Sequence, residues 1–92
     1  MILRFDHKGL ERFFRDSDAR GINVQFAPRL RLLLGVLNAA KSPEEVNLPG
    51  ARLHPLKGKR KGQWAVSVSG NWRLVFEFNG ENAINLDLVD YH

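Results

Sequence analysis

The chain is predicted to be an α+β protein: two N-terminal helices packed on one face of a small, mainly antiparallel sheet whose C-terminal strands form a meander. Three observations predict it. The first half carries apolar residues at helical spacing, the period falls to two after Arg52, and the pairs Gly70-Asn71 and Asn79-Gly80 separate the alternating runs that follow.

Each element follows from local chemistry. Ile2 to Phe5 reads as a short strand, and Asp6 as the N-cap of a helix running to about Asp16, with Leu10, Phe13 and Phe14 on one side. Ser17-Asp18-Ala19-Arg20-Gly21 breaks that helix. A second helix begins between Asn23 and Pro28 and runs to about Ala40, because Leu30, Leu33, Leu34 and Leu37 repeat at i, i+3, i+4, i+7 and Pro28 is tolerated only in a first turn. Ser42-Pro43-Glu44-Glu45 has the pattern of a capping box over one short turn, followed by Asn47-Leu48-Pro49-Gly50. Leu53 to Lys57 is expected to be a strand, with Pro55 confined to an edge or bulge, and Lys57 to Gly62 a basic loop bounded by glycine. Three alternating strands complete the meander. Trp64, Val66 and Val68 share one phase, then Trp72, Leu74, Phe76 and Phe78, then Ile84, Leu86 and Leu88. The helices need an apolar sheet face to cover, and the Trp72 series supplies it. Arg73 therefore falls on the opposite, open face.

Composition narrows the classes. Ninety-two residues, 43% of them hydrophobic, suffice for one domain, residues 1–92. The absence of cysteine excludes a disulfide framework and a thiolate metal site, and an intracellular location is the simplest expectation. The longest apolar run, Leu32-Leu33-Leu34-Gly35-Val36-Leu37, is far short of the roughly 20 residues a membrane helix needs, so the protein is expected to be cytoplasmic, without a membrane partner. The net charge is +4, and its distribution is the more telling fact. No acidic residue lies between Glu45 and Glu77, a stretch that holds Arg52, Lys57, Lys59, Arg60, Lys61 and Arg73. With Trp64 and Trp72 interleaved, this stretch suits a polyanion such as RNA, the bland alternative being a solvated loop kept for solubility.

The same region holds proton-transfer groups and fixed cations. His54 lies in Leu53-His54-Pro55-Leu56-Lys57-Gly58, Arg73 follows Asn71-Trp72, and His92 closes Asp90-Tyr91-His92. Two imidazoles that change charge near neutral pH, with cations that do not, are what metal-free cleavage of an RNA phosphodiester requires. The histidines at 7, 54 and 92 include no close ligand pair, and no glycine-rich phosphate loop joins a strand to a helix, so neither a metal nor a nucleotide cofactor is expected.

These segments, together with Trp64 to Ser69, His7-Lys8-Gly9-Leu10 and Asn47-Leu48-Pro49-Gly50, resemble the HigB toxins, or plasmid-maintenance killer proteins, of the RelE/ParE superfamily over nearly the whole chain. The resemblance implies a RelE-like fold and ribosome-dependent cleavage of messenger RNA in the A site. It also implies a helix-turn-helix (HigA-like) antitoxin, with operator DNA reached only through that antitoxin. Carried over residue by residue, its active surface is His54, Lys57, Arg73, Asp90, Tyr91 and His92, beside the basic loop of Lys57, Lys59, Arg60 and Lys61 as the RNA contact. One departure is that some relatives place an arginine at or beside the strand end occupied here by Val68-Ser69, which would leave more of the phosphate's charge to Arg73 and Lys57.

On this reading the 2'-hydroxyl attacks the adjacent phosphorus, with one histidine as base and the other as acid. The sequence does not decide which, and the working assignment is His54 as base and His92 as acid, because Asp90 and neighbouring negative charge favour the imidazolium of His92. Each residue also has a structural reading. His54 could be a strand-end surface residue, His92 frayed, Asp90 half of a surface salt bridge and Tyr91 a packing ring. Trp72 is expected in the core, and His7 has no catalytic role. Rival functions are a non-catalytic module binding RNA, ribosome or gyrase, and a degenerate toxin that only co-represses with its antitoxin.

Overall fold

The computed structural model describes residues 1–90 and contains two α-helices and a four-stranded antiparallel sheet. Helix α1 spans Lys8–Asp16 and α2 spans Ala27–Ala39. The strands are β1 (His54–Pro55), β2 (Trp64–Ser69), β3 (Trp72–Asn79) and β4 (Asn82–Asp90), in spatial order β1-β2-β3-β4. The α+β layering and the meander are those expected from the sequence.

α1 starts one residue later than expected, because the cap is His7 and not Asp6. The His7 ring accepts a hydrogen bond at Nδ1 from the Leu10 amide at 3.0 Å, satisfying a donor that the first turn leaves open. The helix closes at Ser17, whose left-handed backbone (φ 56°) turns its N–H onto the Phe13 carbonyl. A 3₁₀ turn over Ala19–Gly21 then returns against the start of α1. The two backbones touch at a pair of glycines: a Cβ on Gly21 would lie 2.6 Å from the Gly9 Cα, and one on Gly9 would collide with the Gly21 carbonyl.

α2 follows a 3₁₀ turn over Val24–Phe26, which places Pro28 in its first turn, where the missing N–H costs nothing. Leu30, Leu33, Leu34 and Leu37 are at most 1% exposed, each contributing about 1.5–3 kcal/mol of burial. They meet Leu10 and Phe13 of α1 and the sheet residues Val66, Leu74, Phe76, Leu86 and Leu88 in one core. The turn at Pro43–Val46 forms, but without the expected capping box. Its 3₁₀ geometry gives the Glu45 amide to the Ser42 carbonyl, so Ser42 Oγ reaches only the Glu45 carboxylate, at 3.4 Å.

Three further expectations need correction. The N-terminal strand reduces to two isolated parallel bridges, Ile2 with Ala83 and Phe5 with Leu86. A bulge between them breaks the ladder: Asn85 is left-handed (φ 56°), and the pairing of β3 with β4 shifts register between Val75 and Glu77. That bulge also splits the apolar series expected in β4. Leu86 and Leu88 face the helices, while Ile84 pairs with Glu77 on the other face and Ala83, opposite Phe78, takes its place in the core. Finally, β1 is two residues long rather than five, because left-handed Arg52 (φ 54°) precedes it and a 3₁₀ turn at Gly58–Arg60 follows. Pro55 sits on this edge strand, as its missing donor requires.

Candidate functional site

The register of the sheet decides which chemical groups share a face, since residues directly opposite one another project to the same side. One row across the sheet is His54, Ala65, Val75, Asp87, and the next is Ser67, Arg73, Val89. Both rows lie on the face turned away from the helices. His54 and Arg73 are two strands apart and one row offset, so a spacing of about 4.8 Å between strands and about 3.4 Å of rise per residue puts their Cα atoms roughly 12 Å apart. Ala65, Ser67 and Val75 form a low floor between them. The face is less bare than its polar residues suggest, because Leu56, Ala65 and Val75 are at most 5% exposed and make a small second cluster with Val89.

Both candidate side chains are held by backbone carbonyls. Arg73 donates from one terminal nitrogen to the Gly70 carbonyl at 2.7 Å and to the Trp72 carbonyl at 3.1 Å, which anchors the guanidinium over the β2–β3 turn and leaves the rest of its fork directed elsewhere. The His54 ring lies with Nδ1 2.9 Å from the Arg52 carbonyl oxygen. A carbonyl oxygen only accepts, so Nδ1 carries the proton and, in the neutral ring, Nε2 keeps its lone pair. His7 is the reverse, with Nδ1 accepting at the helix cap and the proton on Nε2. Arg52 itself is exposed, and its left-handed backbone costs an L-residue roughly 1–2 kcal/mol. Nothing in the side-chain pattern signals this role, since a backbone angle supplies it.

The other expected residues fall as follows. Lys57 is exposed two residues past β1, at the N-cap position of the 3₁₀ turn of the basic loop with no side-chain cap bond, and Lys59 and Lys61 are exposed on that loop. Arg60 is partly buried and donates to the Gln63 side-chain oxygen at 3.0 Å. Gln63 in turn reaches Glu77, which also accepts from Asn85, so a polar chain ties the loop to the far end of the open face. Asp90 is exposed at the end of β4 and pairs with Trp72, one residue out of phase with Arg73. Val68 is in the core and Ser69 is exposed at the turn. Tyr91 and His92 lie outside the described residues. Sequence reasoning passed over Asp87, which shares the row of His54 and accepts from the Leu88 amide at 2.9 Å.

Trp72 packs on Phe26, with ring centroids 5.7 Å apart, as a core role demands. Both rings line a cavity of about 330 Å³ on the helix side, with His7, Arg20 and Leu88. Arg20 there is engaged with Asp18, whose carboxyl the Arg20 hydrogen bonds hold well below the usual carboxylate range. Among the described residues no three of His, Cys, Asp and Glu are grouped to hold a metal, and no helix is long and apolar enough to cross a membrane.

What the arrangement can do is bind an anion between a fixed guanidinium and a proton-accepting imidazole on a basic surface. Comparison with known proteins supplies the family. Residues 3–92 match the family described as RelE-like toxin of type II toxin-antitoxin system HigB. The chain is 38% identical to the Endoribonuclease HigB of Proteus vulgaris over 92 residues, all of both chains. It is 32% identical to Toxin HigB-1 of Vibrio cholerae over 87 residues, 92% of each.

Proposed function

The chain belongs to the HigB family of RelE-like toxins of type II toxin–antitoxin systems, and from that premise we propose that it is a metal-independent endoribonuclease that cuts messenger RNA in the ribosomal A site. Membership implies an antitoxin partner. The finer proposal is that this partner is a helix-turn-helix, HigA-like protein and that toxin and ribosome meet in the cytoplasm.

The observation that carries the reading is the pairing, on one sheet face, of an imidazole with an available Nε2 and a guanidinium two strands and one row away. In the proposed reaction His54 Nε2 takes the proton of the 2'-hydroxyl as that oxygen bonds to phosphorus. The bond from phosphorus to the 5'-oxygen breaks, and His92 gives that oxygen a proton. The products are a 2',3'-cyclic phosphate and a free 5'-hydroxyl. Arg73, with Lys57 as a second cation, stabilises the dianionic phosphorane, a kind of preorganised charge that often supplies the largest share of catalysis. Asp90 pairs with Trp72 and so lies off the face of His54 and Arg73; its proposed part is to favour the imidazolium of His92 from the strand end, and that of Tyr91 is to support the substrate. The loop residues Lys57, Lys59, Arg60 and Lys61 hold the RNA backbone. A surface this small positions a flexible strand poorly by itself, which supports a scaffold role for the ribosome.

The test is to incubate purified protein with one RNA, naked and then ribosome-bound, and to map ends by primer extension. Cuts in phase with codons, on the ribosome-bound message alone, are expected. Equal cutting of both would remove the A-site proposal. Salt-sensitive binding without any cutting would replace the enzyme with a non-catalytic module of the same fold.

A further inference from the structure

We infer that Arg52 acts through its backbone as a positioning residue, fixing His54 in the tautomer protonated on Nδ1 so that Nε2 is the proton acceptor. The inference rests on the proposed catalytic role of His54 and adds how the fold assigns that role.

Four observations carry it. The Nδ1 to Arg52 carbonyl contact is 2.9 Å, and a carbonyl has no proton to give. Arg52 reaches this arrangement with φ 54°, a region that residues other than glycine, asparagine and aspartate seldom occupy. The chain on each side is pinned. Ala51 is fully buried, donates to the Leu48 carbonyl at 2.9 Å and accepts from the Ser67 amide at 2.6 Å, while His54 is paired with Ala65 in the sheet. With both flanks fixed, the left-handed turn at Arg52 sets where its carbonyl points. Lastly, His7 has its Nδ1 satisfied by a donor and so carries the opposite tautomer. The two histidines among the described residues are thus differentiated by the backbone, and of these two only His54 presents a basic Nε2.

This tautomer is also the less populated one of a free histidine side chain, so an unanchored ring at position 54 would mostly offer a donor where the 2'-hydroxyl needs an acceptor. The carbonyl keeps its bond to Nδ1–H before and after Nε2 gains the proton. The ring therefore needs no reorientation during the transfer: one O–H bond breaks at the 2'-oxygen, one N–H bond forms at Nε2, and the Nδ1–H is unchanged.

Long-range proton–nitrogen correlation spectra of the ¹⁵N-histidine-labelled chain, at a pH where the rings are neutral, read the tautomers directly and need no RNA. His54 is expected to show a pyrrole-like Nδ1 and a pyridine-like Nε2, and His7 the reverse. Arg52→Gly, which accepts the left-handed backbone, is expected to keep the His54 pattern. Arg52→Val, which resists it, is expected to shift His54 toward Nε2–H and to cleave a ribosome-bound message with a kcat about tenfold or more below that of Arg52→Gly, at little change in KM. A wild-type His54 protonated on Nε2 overturns the inference, as does an Arg52→Val chain that keeps the Nδ1 pattern or one that loses it with no loss of kcat. If His54→Gln cleaves as fast as wild type, the catalytic reading fails, and with it the part of Arg52 in the reaction, whatever the wild-type spectrum shows.

Discussion

At the scale of single residues, shape matters as much as charge. The Arg73 guanidinium is anchored by carbonyls at 2.7 and 3.1 Å, so the fork is aimed before any substrate arrives. Lysine keeps the charge but has neither the plane nor the second nitrogen with which to span two phosphoryl oxygens. Arg73→Lys is accordingly expected to lower kcat about 10²-fold, close to the loss in Arg73→Ala, measured by single-turnover cleavage of a ribosome-bound message. Near wild-type cleavage by the lysine variant would reduce Arg73 to a point charge. For His54→Ala the expected loss is about 10²- to 10⁴-fold in kcat with affinity for the ribosome retained. An equal loss of binding, seen in sedimentation with ribosomes, would make His54 a contact and not a base. That Arg73 lies on the open face was legible from the sequence, because alternation in β3 needs no coordinates, whereas the face taken by His54 depends on the register of β1 with β2. The tautomer of His54 was not, since it depends on φ at a residue whose side chain gives no sign of a left-handed turn.

At the scale of elements, the joint between α1 and the turn after it rests on the absence of two side chains. Gly9 is buried in α1, and a Cβ there would meet the Gly21 carbonyl, a backbone atom unable to swing aside. Gly9→Ala should therefore destabilise the fold by about 1–3 kcal/mol despite the better helix propensity of alanine, read as a lower urea midpoint at unchanged slope. A stabilised variant would mean that the turn moves away freely. His7→Ala removes the cap acceptor and is expected to cost about 0.5–2 kcal/mol by the same assay, with cleavage of ribosome-bound message unaltered. The sequence announced both helices and three of the strands through their periods. It concealed the bulge in β4, because Ile84, Leu86 and Leu88 read as an unbroken alternation. Only the left-handed Asn85 between them sends Ile84 to the other face. Asparagine tolerates that backbone, yet at a position flanked by β-formers its presence alone did not distinguish a bulge from a polar outward residue.

At the scale of the whole molecule, the decisive quantity is how charge is laid over the fold. The acid-free stretch from residue 46 to residue 76 supplies β1, the basic loop, β2 and most of β3, so its cations lie at and around the face that carries His54 and Arg73. They differ in availability. Lys59 and Lys61 are exposed on the loop, whereas Arg60 is partly buried against Gln63 and holds the loop to the sheet. If Lys59 and Lys61 contact RNA phosphates, each releases counterions on binding, and removing both should flatten the dependence of log affinity on log salt by about 1.4, or about 0.7 per single-strand contact. Arg60→Ala should act differently, because it loosens the loop as well as deleting a charge, and it should lower the thermal midpoint where the lysine pair does not. Titrations of a single-stranded RNA at several salt concentrations, on the His54→Ala background to prevent cutting, measure the slopes. An unchanged slope in the Lys59→Ala, Lys61→Ala double variant would place the RNA path elsewhere on the molecule and leave these lysines a role in solubility alone.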